Sequence, residues 1–394
     1  MNKKSLMIYF PEWKLAPKGG PAGYLYNLKT CLDKKFPELP FEIDFYNKIS
    51  EAIEDNAKLR SFVPDRIKDI RRALKYSGYL KRRRPVDEEL LKYDIIHFHS
   101  TEDMYLNRDM LQAYSGKVIL TSHRPCVPYQ ETVARINPFD YKLFKRSIDK
   151  LVEMDVYAFE RADYIIFPCE EAEEPYYNTW PEYSSIRKSD KYRYMPTGIN
   201  GCHAKVSRSE YREKYNIPED AFVVAYVGRH NEIKGYADLK KIGEKFLQDD
   251  NTYFLIGGKE EPLEGLDNNR WIEVGWTDDP YSLIAAADVF ILPNRETYFD
   301  LVLLEVLSLG VPVALTWTGG NKYFDKYHKD GLKYFSTIDE GIAALEKFKN
   351  MPSVDRKRAG DELAELWTED FTVEKFVRRY IDIITEIAYD GEKL

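Results

Sequence analysis

Short runs of β-branched and aromatic residues alternate with longer stretches of helical spacing along the whole chain, which predicts βα units built around parallel sheets. The first half carries predicted strands over 5–9, 41–45, 95–98, 118–121 and 164–168, with helices over 23–34 and 144–161. The second half carries strands over 222–227, 252–257, 272–274, 289–292 and 312–315. No internal repeat and no low-complexity segment interrupts the pattern.

Between the two series, Met195-Pro196-Thr197-Gly198-Ile199-Asn200-Gly201 is rich in turn formers and leads to a helix over 207–215 and a new first strand. The chain therefore divides into a domain over 1–200 and another over 201–371, in keeping with a length of 394 residues, more than one core usually serves. The last stretch, 372–394, places Phe376, Val377, Tyr380, Ile381, Ile384 and Ile387 at helical spacing, so one face must be buried. Open parallel sheets bind ligands beyond the carboxyl ends of their strands, and the expected site is a cleft between the two domains.

Composition narrows the class. Hydrophobic residues make up 44% and charged residues 31%, with 21 Gly and 20 Pro, the balance of an ordered globular protein. A net charge of −8 argues against nucleic acid as a partner, because affinity for phosphate backbones comes from excess Lys and Arg. The balance reverses between Lys58 and Arg84, where eleven basic residues face only Asp65 and Asp69. Ile67, Ile70, Leu74 and Leu80 lie among these cations. That pattern suits an anionic membrane surface, and equally a solvated helix with an inward apolar side.

Cys31, Cys126, Cys169 and Cys202 are far apart and lack metal-ligand spacing, so neither disulfides nor zinc is expected and a reducing cytosol suits them. The N-terminal apolar stretch stops at Pro11 and Glu12, too short for a signal peptide. The apolar run over 301–317 is broken by Glu305, Gly310 and Pro312. A cytoplasmic protein is expected, peripheral at most to the inner face of a membrane.

Two loops carry the candidate chemistry. Val227-Gly228-Arg229-His230-Asn231-Glu232-Ile233-Lys234-Gly235 directly follows an apolar strand. Gly228 permits a tight exit, and Arg229 and Lys234 are fixed cations able to neutralise a diphosphate, although either alone would more often be a plain surface residue. Pro293-Asn294-Arg295-Glu296-Thr297-Tyr298-Phe299-Asp300 ends another strand and opens the apolar helix that contains Glu305. A carboxylate there is costly to bury unless paired or facing a ligand; the alternative is a solvent-facing helix position. No Asp-x-Asp stands at a strand end, so neither metal nor cofactor is expected.

As an ordered set, Gly228-Arg229 and Lys234-Gly235, Gly275, Ala287-Asp288-Val289-Phe290-Ile291-Leu292-Pro293, Phe299 to Glu305 and Gly310-Val311-Pro312-Val313 closely resemble the family-4 retaining glycosyltransferases of the GT-B fold. The first half adds Asp94-Ile95-Ile96-His97-Phe98-His99, Thr121-Ser122-His123 and Pro196-Thr197-Gly198-Ile199-Asn200. The resemblance implies an α/β protein of two Rossmann-like domains facing across a cleft, with 372–394 returning to the N-terminal, acceptor-binding domain. It implies transfer, with retention and without a metal, from a nucleotide diphosphate sugar, UDP-sugar favoured, to a glycan, lipid-linked or protein-linked acceptor in bacterial surface polysaccharide or glycoconjugate assembly.

Carried over residue by residue, the resemblance assigns Arg229 and Lys234 to the donor diphosphate, Glu305 to the ribose hydroxyls, and Gly275 and Trp276 to the base. His123 falls near the transferred sugar, and Gly19 and Gly20 form the glycine loop approached by donor and acceptor. His97 and His99 are read as structural. One departure stands out: eight positions before Glu305, where the family carries an acid on the sugar, this chain has Thr297. Either Glu296 takes that place, or Thr297 and the backbone of Tyr298, Phe299, Asp300 and Leu301 do. Thr297 also motivates an alternative, a catalytically silent partner or chaperone subunit of an active transferase; a nucleotide-sugar epimerase or phosphorylase on the same fold is the other.

Overall fold

The computed structural model describes residues 3–11, 14–17, 20–46, 64–260 and 262–390. The chain forms two compact units, one of Met1–Pro168, Pro175–Met195 and Val377–Leu394, the other of Cys169–Glu174 and Pro196–Phe376.

The first unit is built on β1 (Ser5–Tyr9), β2 (Glu42–Tyr46), β3 (Ile95–Phe98), β4 (Lys117–Leu120), β5 (Tyr164–Phe167) and β6 (Tyr192–Tyr194), paired in the order β2-β1-β3-β4-β5-β6 with every pairing parallel. The strands β3 and β5 are buried along their whole length, which is why they read as near-continuous apolar runs, broken only by His97, rather than as alternation. The predicted helix over 144–161 is two helices, Pro138–Ile148 and Val152–Arg161, joined by a 3₁₀ turn at Asp149–Leu151. Of the basic segment, 58–63 lies outside the described residues. Asp65–Ser77 is a helix, and a 3₁₀ turn at Tyr79–Lys81 follows it.

The second unit contains β7 (Phe222–Val227), β8 (Thr252–Gly257), β9 (Trp271–Gly275), β10 (Val289–Leu292), β11 (Val313–Thr316) and β12 (Leu332–Phe335), in the parallel order β12-β11-β10-β7-β8-β9. Helices Tyr236–Phe246 and Ile338–Asn350 bury Tyr236, Leu239, Ile242, Leu345 and Phe348 against Val224, Tyr226, Phe254 and Ile291. Local chemistry sets the helix starts: Ser207 with Glu210 and Thr337 with Glu340 form capping boxes, and Asp279 and Asp300 cap the helices Pro280–Ala285 and Leu301–Ser308.

Two edge strands, β6 and β12, fall outside those predicted from the sequence. The division between units also lies a few residues before 200/201, because the turn-rich segment packs within the second unit. Ile199 N–H donates to Phe371 O at 2.9 Å and Val373 N–H to Ile199 O at 2.9 Å. A Cβ on Gly198 would stand 2.2 Å from Thr372 O, so only glycine allows that approach. The helix Val373–Ala388 buries Phe376, Val377, Tyr380, Ile384 and Ile387, the face anticipated from their spacing. From Val377 onward it belongs to the first unit, where Lys117 Nζ donates to Ile387 O at 2.6 Å.

Candidate active site

In the second sheet β7 has β8 on one side and β10 on the other, the reversal of strand order at which an open parallel sheet forms a crevice beyond its strand ends. The loops 228–235 and 293–300 leave β7 and β10 at this point. Arg295 ties them together: its N–H donates to Ile233 O at 2.9 Å, its guanidinium forks onto Asp238 at 2.8 and 3.0 Å, and it reaches Glu232 at 2.5 Å. Gly235 has φ 65°, and a Cβ there would lie 1.7 Å from Pro293 O, so the approach of the two loops at this point requires glycine.

Gly228 differs from its sequence reading as a tight strand exit. Its φ is not left-handed; a Cβ would instead meet the Tyr226 hydroxyl at 2.7 Å, and that hydroxyl donates to Arg229 O at 2.9 Å.

The two loop cations are not equivalent. Arg229 is exposed and forms no ion pair among the described residues. Lys234 Nζ sits 2.5 Å from Asp300 Oδ2, which also accepts from Asn294 Nδ2 at 2.8 Å, while Asp300 Oδ1 accepts from Val302 N–H at 3.3 Å. Burial pushes the Asp300 carboxyl up, but Lys234, Asn294 and Val302 together hold it below the usual carboxylate range.

Glu305 is half-buried on the helix Leu301–Ser308. Burial, with repulsion from Asp300, pushes its carboxyl up to about 7, against the opposing hydrogen bond of the Tyr281 hydroxyl. Tyr281 is a neighbour that no local spacing announced, since it reaches Glu305 from a separate helix, Pro280–Ala285. In the loop before Glu305, Glu296 is half-buried and Thr297 is buried, its carbonyl accepting from Gly320 N–H at 3.2 Å. The Phe299 side chain belongs to an aromatic cluster with Phe324, Tyr323 and Phe371 at centroid distances of 5.4, 5.9 and 6.4 Å, so only its backbone is available to a ligand. Leu301 opens the helix that Asp300 caps. At the end of β9, Gly275 has φ 72° and Trp276 is 85% exposed.

In the first unit the candidates gather beyond β1, β3 and β4. Gly20, φ 79°, caps the helix Pro21–Lys35; Gly19 lies outside the described residues. His123, with φ 57°, brings Nε2 to 2.8 Å from His99 Nδ1, and the Tyr24 ring stands edge-on to it at 4.8 Å. Burial, helped by the Arg124 charge, lowers the His123 imidazole to about 3, and burial with its imidazole neighbours holds His99 well below its usual value. Both rings are therefore neutral at neutral pH, and a single proton joins them. His97 is structural as read, held between Tyr380 Oη at 3.1 Å and Thr121 Oγ1 at 2.9 Å. His99, also read as structural, is the hydrogen-bond partner of His123. The register that sets β3 beside β4 brings them together, although they are 24 positions apart.

Residues 221–346 match the family model described as glycosyl transferases group 1. The match lies wholly within the second unit and takes in both candidate loops. A UDP-Gal:α-D-GlcNAc-diphosphoundecaprenol α-1,3-galactosyltransferase of Escherichia coli is 26% identical over 381 residues, 88% of this chain and 91% of the relative. The O-antigen biosynthesis glycosyltransferase WclY of Escherichia coli is 23% identical over 249 residues, 60% of this chain and 65% of its own length. Among solved structures, sucrose-phosphate synthase from Thermosynechococcus elongatus superposes with a TM-score of 0.65 at 17% identity, covering 98% of this chain and 99% of that one. HepE of Anabaena, in complex with UDP and glucose, gives 0.60 at 12% identity over 96% and 99%. The fold is that of the GT-B glycosyltransferases.

Proposed function

We propose that the protein is a retaining, metal-independent glycosyltransferase that moves a sugar from a nucleoside diphosphate donor, UDP-sugar foremost, onto a lipid-linked glycan during assembly of a bacterial surface polysaccharide. The observation that carries this reading is that the loop bearing Arg229 and Lys234 and the loop leading to the Glu305 helix leave adjacent strands at the β7/β10 reversal and are joined there by the Lys234–Asp300 pair, with Asp300 acting on Glu305. The galactosyltransferase relative, whose name specifies UDP-Gal and a diphosphoundecaprenol-linked sugar, supports the donor and acceptor classes.

In this reading the diphosphate lies over the loop 228–235. Arg229 offers it a cation with no ion-pair partner among the described residues, and Lys234 exchanges or shares its contact with Asp300. Glu305 takes the ribose hydroxyls, and the exposed indole of Trp276 after Gly275 stacks on the base. Glu296, half-buried where Thr297 is buried, contacts the transferred sugar together with backbone groups of Tyr298 to Leu301. His123, supported by His99, and the Gly19-Gly20 loop are assigned to the sugar and acceptor.

The bond from the anomeric carbon to the β-phosphate oxygen breaks as the acceptor oxygen bonds on the same face, and the acceptor proton passes to the departing phosphate. Arg229 and Lys234 stabilise the charge that gathers on that phosphate, the interaction that strengthens most in the transition state. A calorimetric screen against nucleoside diphosphates and their sugars tests the proposal, followed by transfer to a lipid-diphosphate-linked sugar. One diphosphate family should bind and its sugar should be transferred with retained configuration. Failure of every nucleotide to bind would sink the reading.

A further inference from the structure

Beneath the loop that carries Arg229 and Lys234 lies a cluster that the transfer chemistry does not use. His230 is fully buried, and neither ring nitrogen has a hydrogen-bond partner among the described residues. Its Nε2 lies 3.9 Å from Glu273 Oε2, a buried oxygen that also lacks a partner. One ligand atom each from His230, Glu260 and Glu273 fall within 4.8 Å of one another. Buried polar atoms are ordinarily satisfied, so two such orphans facing each other call for a third party between them.

The surroundings orient these groups. The His230 ring stacks on Tyr236 at 3.9 Å and 6°. Tyr236 Oη and Trp271 Nε1 donate to Glu273 Oε1 at 2.5 and 2.7 Å, so both hydrogen bonds fall on one carboxylate oxygen and Oε2 is left to face the imidazole. Hydrogen-bonded support of this kind is what positions carboxylate ligands around a metal. The segment after β8 closes over the cluster. Leu263 N–H donates to His230 O at 3.1 Å, and Gly265 N–H to Glu260 Oε1 at 3.3 Å.

We propose that His230, Glu260 and Glu273 bind one divalent transition-metal ion of the zinc class, which pins the loop 228–235 to β9. A tetrahedral zinc ion with bonds of about 2.0–2.2 Å spans donor atoms roughly 3.3–3.6 Å apart, so the His230 and Glu273 atoms at 3.9 Å, and the cluster as a whole within 4.8 Å, must draw together on binding to complete the site. Imidazole with two carboxylates selects such an ion over magnesium, which prefers an all-oxygen octahedron. The ion is structural: it fixes the backbone from which Arg229 and Lys234 project, and takes no part in the transfer. The proposal does not depend on which substrate the protein takes.

Chelator-treated protein titrated calorimetrically with zinc chloride should take up one ion per chain at this site, with magnesium chloride giving no comparable uptake. Hydrogen exchange across 228–235 should slow when zinc is added. Glu260→Gln alters an exposed side chain and leaves the core intact, while Glu273→Gln keeps an acceptor for Tyr236 and Trp271; each should weaken zinc uptake by about tenfold or more. Wild-type protein that binds no zinc, or zinc uptake and loop protection that survive both substitutions, would overturn the proposal.

Discussion

Lys234 Nζ and Asp300 Oδ2 form a 2.5 Å ion pair that binds the loop after β7 to the cap of the helix Leu301–Ser308. Arg229, five positions earlier, has no such compensation among the described residues. The two cations should therefore separate by experiment. Arg229→Ala should weaken nucleoside diphosphate binding by about 10- to 100-fold, the loss of one or two charge-assisted hydrogen bonds, with stability changed by less than ~0.5 kcal/mol. Lys234→Ala should weaken binding too, and also leave Asp300 buried without its partner, at a cost of about 3 kcal/mol. Calorimetry and denaturant unfolding read the two effects; equal destabilisation by both substitutions would contradict the distinction.

Glu305 offers a test by pH. Its folded value of about 7 stands above the ordinary 4.5, so the native state holds the proton longer than the unfolded chain does. The associated stability is present at low pH and is lost as pH rises through about 7. Glu305→Gln, which cannot ionise, should match wild type near pH ~4 and exceed it near pH ~8 by on the order of 2 kcal/mol. The same variant should bind nucleoside diphosphates more weakly. Parallel stability curves at both pH values would show that the carboxyl is not perturbed.

His123→Ala should lower the transfer rate by about 100-fold, the scale of losing one oriented polar contact to the transition state, with nucleoside diphosphate affinity unchanged. Since burial places the imidazole at about 3, the wild-type pH–rate profile should show no limb from this ring between about pH 5 and 8. A limb near the ordinary histidine value that vanishes in His123→Ala would show the ring to be open and titrating.

Asp288 accounts for part of the segment that carries the resemblance. It accepts from Arg208, Arg212 and Arg356 at 2.9, 2.8 and 2.8 Å and from Val223 N–H at 2.9 Å. Asp288→Ala leaves the fully buried Arg212 without its counter-ion and should destabilise the second unit by about 3–5 kcal/mol. A loss under ~1 kcal/mol in denaturant unfolding would mean that the arginines find other partners.

The helix Asp65–Ser77 exposes Ile67, Ile70 and Leu74 between its cations, and the helix Pro138–Ile148 packed beside it exposes Phe139 and Leu143. Among the described residues no helix is long and apolar enough to cross a membrane. If this basic face meets an anionic bilayer surface, the protein should sediment with phosphatidylglycerol vesicles but not with phosphatidylcholine vesicles. Replacing Arg71, Lys75, Lys142 and Arg146 by Glu should abolish the difference. Equal sedimentation of wild type and variant would make the face an ordinary solvated one.

Local spacing alone determined most of the scaffold. Strands buried on both faces must be continuously apolar, so β1, β3, β7, β8 and β10 stood out with their full extents. The short edge strands β6 and β12 did not, because Arg193 and Lys333 interrupt them and pairing on one side alone requires no longer apolar run. Arg229, Lys234 and Glu305 could be singled out because each follows a strand or sits in an apolar helix at a telling position. Only the tertiary structure decided which charges compensate one another. Lys234 and Asp300 are 66 positions apart, and His230 follows β7 whereas Glu273 lies within β9. Sequence spacing records neighbours along one element, whereas these pairs exist because the sheet order puts β10 next to β7, and β9 one strand beyond β7 across β8.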